Sequence, residues 1–483
     1  MKIVLFALNG SYSHTNLAVR CLRRALEQNG FDVKIVERNL RDKTDDVLHS
    51  LYTEHADAYG FSTYIWNITE MLTLAADLKS LLPSSKIIFG GPEVSFSTER
   101  FSDMNFIDFI ICGEGENAIV KLCKSLESGE DTPRIIDGGV PDVMKDEGIL
   151  YKDGDYCKSE MLYYESSRGC PYNCSYCLSS ACGGIRAKSV SQTLADLESF
   201  SKLSSPAKII KFVDRTFNFD INRANRIWES LLSKKYDGHY HFEICSSLLN
   251  EESFSIFEKM PKGKIQLEIG LQSTNEKTLA AVSRHIKPEE VISTAARIHK
   301  MGNIHVHLDL IAGLPYEDFS SFKKSFDDAY FCCDKLQLGF LKLLYGTKLR
   351  EDAKKYGIIC SSKPPYTVLE TAYMTKDELY RLSEIADILE RIKNSGAFSR
   401  SLEYAIGFVK SPFDFFSGLC DYIKSHDTRS IRKLSQTDAF AMLYGYASDF
   451  VADRQKLEEY IHEDYSERET RKFPLSIFKR SEL

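Results

Sequence analysis

Three cysteines constrain this chain more than any other feature. Cys170, Cys174 and Cys177 follow one another with the spacing C-x3-C-x2-C, inside the run 165–182. Gly169, Pro171, Tyr172 and Tyr176 stand among them. Three thiolates on one short loop can hold three corners of a 4Fe–4S cube and leave the fourth iron open to a small molecule. The same residues can also be read as inert thiols, or as a zinc site that Cys182 completes. The position favours chemistry. Residues 162–166 read as a short strand, and Gly169-Cys170-Pro171 forces a turn straight after it. Loops at the carboxyl ends of strands are where α/β folds carry their sites.

A chain of 483 residues holds more than one domain. The expected division is a Rossmann-like domain at 1–140, a linker at 141–160, a core at 161–345 and a helical domain at 346–483. In the first part, strand signals at 2–8, 31–36, 56–61, 86–89 and 106–111 alternate with helical ones at 14–28, 43–54, 67–81 and 116–126. That alternation predicts a doubly wound, flavodoxin-like parallel sheet. Its strand ends carry Asn9, Ser11 and His14, then Ser62 and Thr63, then Gly90-Gly91-Pro92-Glu93, then Gly113-Glu114-Gly115-Glu116. Any one of these is an ordinary turn. Four on one rim suit a ligand lying across the sheet edge. For His14 a helix start or a core position is the plainer reading, and Trp66 either stacks on a ligand or packs.

Residues 128–161 read as a linker with a small hairpin. From 163 the alternation restarts. Strands are expected at 208–213, 239–246, 264–270, 304–311 and 336–341, and Ser189-x-x-Gln192 and Ser273-x-x-Glu276 are expected to open helices. About six strand–helix units predict an open, partial barrel rather than a closed one of eight. Glu243, Gln272, Arg284 and Asp309 recur at its strand ends or just beyond, and Asp214 and Asn218 follow a buried strand. Beyond 345, helical signals dominate at 348–356, 377–394, 412–425 and 434–462, and the basic tail reads as a solvated terminus.

A net charge of −7 argues against a nucleic-acid-coating or membrane-surface protein. The stretch 1–8 reads as a first strand rather than a signal peptide, and no run of about 18 apolar residues marks a membrane span. Thirteen cysteines in no regular framework point to a reducing compartment, the cytoplasm.

The cysteine spacing, with Tyr176 before the last cysteine, resembles that of the radical S-adenosylmethionine (SAM) enzymes. The set Glu243, Gln272, Arg284 and Asp309 resembles the SAM contacts of the coproporphyrinogen-oxidase-like branch in order and spacing. The Gly-Gly-Pro-Glu and Gly-Glu-Gly-Glu turns resemble the cobalamin-binding domain that precedes the radical SAM core in one large class of these enzymes. That resemblance implies a 4Fe–4S cluster on Cys170, Cys174 and Cys177. It also implies SAM near Tyr176, Asp214 and the four barrel residues, and cobalamin on the N-terminal rim. The implied reaction is methyl transfer to an unactivated carbon of a small-molecule or peptide substrate, driven by a flavodoxin- or ferredoxin-type donor. Cyclisation or rearrangement, a methylthiotransferase and a non-catalytic corrinoid sensor are the alternatives. One departure stands out: the full D-x-H-x-x-G cobalt-ligand motif is absent.

Overall fold

Eight residues, Lys2–Asn9, form the first strand, β1, and its six inner side chains are all buried. An apolar run of this kind must be covered on both faces, which is what a parallel sheet with helical crossovers provides. The computed structural model of the protein describes residues 1–483 apart from 141–143, 145–147, 156–160, 182–183, 204–208, 234, 237, 430, 469–472, 475 and 480–483. The first sheet contains β1, β2 (Asp32–Asn39), β3 (Ala58–Ser62), β4 (Lys86–Gly90), β5 (Phe109–Cys112) and β6 (Ile135–Asp137), in the order β2-β1-β3-β4-β5-β6. All pairs are parallel. The sixth strand falls where a linker was expected; Ile135 and Ile136 pair with Ile110 and Ile111 and extend the sheet.

The second sheet is also six-stranded and parallel. It is built from β7 (Leu162–Tyr164), β10 (Ile209–Phe212), β11 (His239–Ile244), β12 (Ile265–Gln272), β13 (His305–Ala312) and β14 (Lys335–Phe340), in the order β14-β13-β12-β11-β10-β7. The short pair β8 (Ser167–Arg168) and β9 (Arg186–Ala187) brackets the cysteine loop. Six parallel strands curled without closure make the expected partial barrel. Along β12 the sequence IQLEIGLQ alternates strictly: Ile265, Leu267, Ile269 and Leu271 are buried in the apolar core, and Gln266, Glu268 and Gln272 occupy the other face. In β11 and β13, His241, Glu243, His307 and Asp309 take the same alternating positions. The barrel lumen is therefore polar, where a packed barrel would be apolar.

Several helix boundaries differ from expectation. The first helix starts at Leu17 rather than His14, because Asn16 accepts the Val19 N–H and caps it. Asn275, not Ser273, caps Glu276–Ala281. The expected helix at 434–462 is two helices, Gln436–Ala447 and Arg454–Arg468, and the helix Ser399–Ile406 lacked a sequence signal. Thr375 and Glu378 do form a capping box on Lys376–Ile392. The hairpin expected within 128–161 and the basic tail fall partly outside the described residues.

Glu317 has no exposed surface and accepts hydrogen bonds from Ser321 (3.0 Å) and Ser325 (3.4 Å). Burial pushes its carboxyl up to about 7. In the unfolded chain the same group titrates near its ordinary value. Stability is then fully present below that ordinary value and is lost as pH rises through the folded one. The expected loss between about pH 5 and about pH 8 is about 2–3 kcal/mol from this residue. Urea unfolding of Glu317→Gln at the two pH values should show that slope removed relative to wild type.

Candidate active site

The cysteine loop begins where β7 stops. Asp214, fully buried just beyond β10, accepts the backbone N–H of Ser166 (2.7 Å) and of Ser167 (2.6 Å). Arg223 donates to the Ser166 hydroxyl at 2.9 Å. Asp214 was expected at the cofactor; it instead staples the turn that launches the cysteines, its oxygens taken by the chain. Asn218 plays a similar part, exchanging two hydrogen bonds with the backbone of Cys245. Gly169 has φ +99°, and a Cβ there would sit 2.4 Å from the Gly184 carbonyl oxygen. Only glycine fits this step into the loop.

Within the loop, Cys174 is buried and Cys170 and Cys177 are half-buried. The Ser175 N–H bonds Val282 (2.9 Å), and the Ser175 carbonyl accepts from Leu349 (2.8 Å), so the loop is pinned from both sides. Tyr172 donates to the Cys245 thiol at 3.0 Å, and Cys170 Sγ lies 3.5 Å from Thr216 Oγ1. Arg284 Nη1 reaches Cys174 Sγ at 3.7 Å and also bonds the Gly270 carbonyl. A single zinc ion holds its sulfurs about 3.8 Å apart. Among the described residues, the one set of three ligand groups whose atoms fall within 4.8 Å of one another is not these thiols. Cys182, the fourth ligand of the zinc reading, lies outside the described residues.

Tyr176 packs half-buried against the core. Burial, offset in part by Arg284, raises its phenol well above the ordinary range. Gln272 is one of few non-glycine residues with positive φ, at 70°. Its Oε1 and the Arg284 Nε are buried without a hydrogen-bond partner. Buried polar atoms rarely stay unpaired, and a bound polar ligand satisfies them. Burial, reinforced by Glu268, pushes the Glu243 carboxyl up to about 7. Burial likewise raises Asp309. The four barrel residues thus lie on the lumen side of neighbouring strands or just past them, and Arg284 reaches the cysteine loop. They offer donors and acceptors for ribose hydroxyls and an aminoacyl group.

The rim of the first sheet faces this loop. Glu114 pairs with Arg168 (2.7 Å) and also with Arg186, and Glu116 pairs with Arg168 (2.9 Å). Glu93 pairs with Arg100 (2.8 Å) and bonds Tyr366, and Arg100 lies 4.2 Å from the Tyr345 ring centroid. Asn9 spends its amide on His14 O (3.0 Å) and Glu37 (3.1 Å). These four side chains, expected on a cofactor, hold rim loops and neighbouring domains instead. His14 is neither in a helix nor in the core. It is exposed, bridges to Met161 and meets the Tyr163 ring edge-on at 5.7 Å.

The rest of the rim stays open to a ligand. Gly91, at φ +118°, lies so close to Thr63 that a Cβ would meet its carbonyl at 2.4 Å, and Thr63 donates through N and Oγ1 to Gly90 (2.8 and 2.9 Å). This knits the Ser62-Thr63 and Gly90-Gly91-Pro92 turns into one ledge. Gly113 and Gly115 frame the next turn, and the Ser11 hydroxyl bonds Ser13 at the first. Three exposed aromatic residues follow three adjacent strands: Tyr12 (58%), Trp66 (49%, stacked on Tyr64 at 4.3 Å) and Phe96 (39%). A large planar group would cover them. Cys21 and Cys123 are buried and their thiols are pushed up to about 12 by burial, so they are poor cluster ligands.

The lumen set Lys211, His241, Glu268 and His307 carries a sequence signal of its own: polar residues in strands whose other face is apolar.

Three family models match the chain: "B12 binding domain" over residues 3–123, "Radical SAM superfamily" over 164–329, and "Protein of unknown function (DUF4080)" over 354–483. The chain is similar to "Uncharacterized methyltransferase PH0819" of Pyrococcus horikoshii, at 25% identity over 59% of this chain and 67% of that one. It is also similar to "Cobalamin-dependent radical SAM methyltransferase TokK" of Streptomyces tokunonensis, at 23% identity over 76% of this chain and 61% of that one. The matches thus span between about three fifths and two thirds of these relatives' length. The solved structure of the "Cobalamin-dependent S-adenosylmethionine radical enzyme OxsB" shares the fold, with a TM-score of 0.66 at 13% identity, over 100% of this chain and 83% of that one.

Proposed function

We infer the reaction from what this chain is, a radical SAM protein that carries a B12-binding domain: it cleaves SAM reductively and transfers a methyl group to carbon. The observation that carries this reading is one of placement. Three thiols in no disulfide, on a pinned loop, lie between a polar barrel lumen and the open rim of a doubly wound sheet. Cys170, Cys174 and Cys177 would hold a 4Fe–4S cluster, Glu243, Gln272, Arg284 and Asp309 would hold SAM, and the rim turns would hold a corrinoid. Bound there, the cluster supplies one electron to the SAM sulfonium and the corrinoid supplies the methyl group.

The protein's own share is positioning. Asp214 and Arg223 fix the turn before Cys170, and Ser175 is tied to the barrel and to the C-terminal segment. Arg284 supplies fixed positive charge beside Cys174. Held reactants need no further ordering when they react. No described helix is long and apolar enough to cross a membrane. A low-potential one-electron donor and a reducing compartment belong to this reading.

The corrinoid assignment has a direct check. Anaerobically cluster-loaded protein is mixed with excess hydroxocobalamin and passed over a sizing column. The expected result is about one corrin per chain, by absorbance, in the protein fraction. Protein that elutes free of corrin would remove the rim assignment and leave a cobalamin-independent radical SAM enzyme.

A further inference from the structure

The lumen beside the SAM-facing residues holds a second cluster, which shares only Asp309 with them. Glu268 of β12 and His307 and Asp309 of β13 each offer a ligand atom, and these atoms all lie within 4.8 Å of one another. His307 is only 4% exposed, and neither of its ring nitrogens has a hydrogen-bond partner. An imidazole always has a donor or acceptor at each nitrogen, and burying both unpaired is costly. Those nitrogens face the carboxylates: Nε2 is 3.2 Å from Asp309 Oδ1, which is itself buried and unpaired, and Nδ1 is 3.9 Å from Glu268 Oε2.

Glu268 is held by two donors on one oxygen. His241 Nε2 lies 2.6 Å from its Oε2, and Lys211 Nζ lies 3.2 Å away. Outer partners of this kind fix the direction of a metal ligand. We propose that Glu268, His307 and Asp309 form a divalent transition-metal site in the barrel lumen, separate from the cysteine loop. One imidazole and two carboxylates, with no thiolate, suit an ion of the Mn²⁺, Fe²⁺ or Zn²⁺ class. Two arms of about 2.1 Å span about 4.2 Å, so small side-chain rotations close the three groups on one ion. Two carboxylates balance its charge. Asp309 keeps a second oxygen for the SAM side, so one side chain touches both sites. The remaining coordination positions open toward the lumen, where a polar substrate group could take them.

Mn²⁺ is the probe, because it ignores the chain's many thiols. Cluster-loaded protein, kept oxidised and free of corrin, is titrated with Mn²⁺ while the signal of the free aqueous ion is followed by electron paramagnetic resonance. Wild type is expected to remove one Mn²⁺ per chain. His307→Ala and Glu268→Gln should bind at least about tenfold more weakly, and His241→Ala, through the outer partner, about tenfold more weakly. Iron content and circular dichroism of each variant report whether it folds. Wild type that leaves Mn²⁺ free at millimolar concentration overturns the proposal. So does undiminished Mn²⁺ binding by a folded His307→Ala. This test reads no SAM cleavage and no corrin, so its failure leaves the proposed reaction standing, and the reverse.

Discussion

Cys174→Ala protein, reconstituted anaerobically with iron and sulfide, is expected to hold less than about one iron per chain where wild type holds about four. Its SAM cleavage should fall to the level of cluster-free protein. Cys174 is the buried member of the three, beside Arg284, so losing it removes one corner ligand and the sulfur contact of that cation. The fold should survive, because the loop is pinned by backbone bonds of Ser175 and by Asp214 rather than by the thiol. Two further variants make the result specific. Cys245→Ala removes a thiol that touches the same loop through Tyr172 and should retain the iron. Cys182→Ala should also retain it. A four-thiolate zinc site would instead lose its metal in Cys182→Ala as fully as in Cys174→Ala. Iron, sulfide and zinc analysis separates these outcomes.

Arg168→Ala is expected to destabilise the protein by about 3–5 kcal/mol, a large share of the stability of an ordinary domain. Arg168 is 16% exposed and pairs with three carboxylates: Glu114 (2.7 Å), Glu116 (2.9 Å) and Glu165 (2.7 Å). Two of them belong to the first sheet's rim and the third to the turn before the cysteines. Burial works against the guanidinium, but Glu165 and Glu116 hold its pKa above the ordinary range. Deleting it leaves three partly buried like charges facing one another. Arg186 offsets part of this at Glu114. Arg168→Lys keeps the charge but cannot fork to several acids, so it should recover part of the loss. Equilibrium unfolding in urea measures both. The loss in Arg168→Ala should be larger at low salt than at high salt, since salt screens the repulsion among the three carboxylates. Wild-type stability in Arg168→Ala would mean that the rim and the cysteine loop are not joined through this residue.

Much of this was legible in the chain. The cysteine spacing, the turn at Gly169 and both sets of parallel strands needed only local signals: short apolar runs ending in glycine or polar residues. Other features depend on tertiary partners. Glu93, Glu114 and Glu116 sit in glycine turns on a strand-end rim, and nothing local says that Arg100, Arg168 and Arg186 reach them. Asp214 follows a buried strand as a ligand residue would; only the fold shows two backbone N–H groups converging on it. The strand Ile135–Asp137 is three residues long and exposed on alternate positions, too short to stand out from a linker. The helix Ser399–Ile406 has no side-chain cap, which removes the usual start signal. The lumen histidines were readable, since His-x-His-x-Glu and His-x-His-x-Asp alternate in apolar strands, but alternation alone does not say which face is the lumen.

The central claim is that this chain performs reductive cleavage of SAM at the Cys170, Cys174 and Cys177 loop beside a corrinoid. The most direct measurement gives anaerobic, cluster-loaded, hydroxocobalamin-treated protein SAM and dithionite and follows 5′-deoxyadenosine and methionine by mass spectrometry. The account predicts both products in equal amounts from wild type and neither from Cys174→Ala, with corrin absorbance retained in both proteins. Intact SAM after prolonged incubation with wild-type protein that carries a full complement of iron, sulfide and corrin would contradict it.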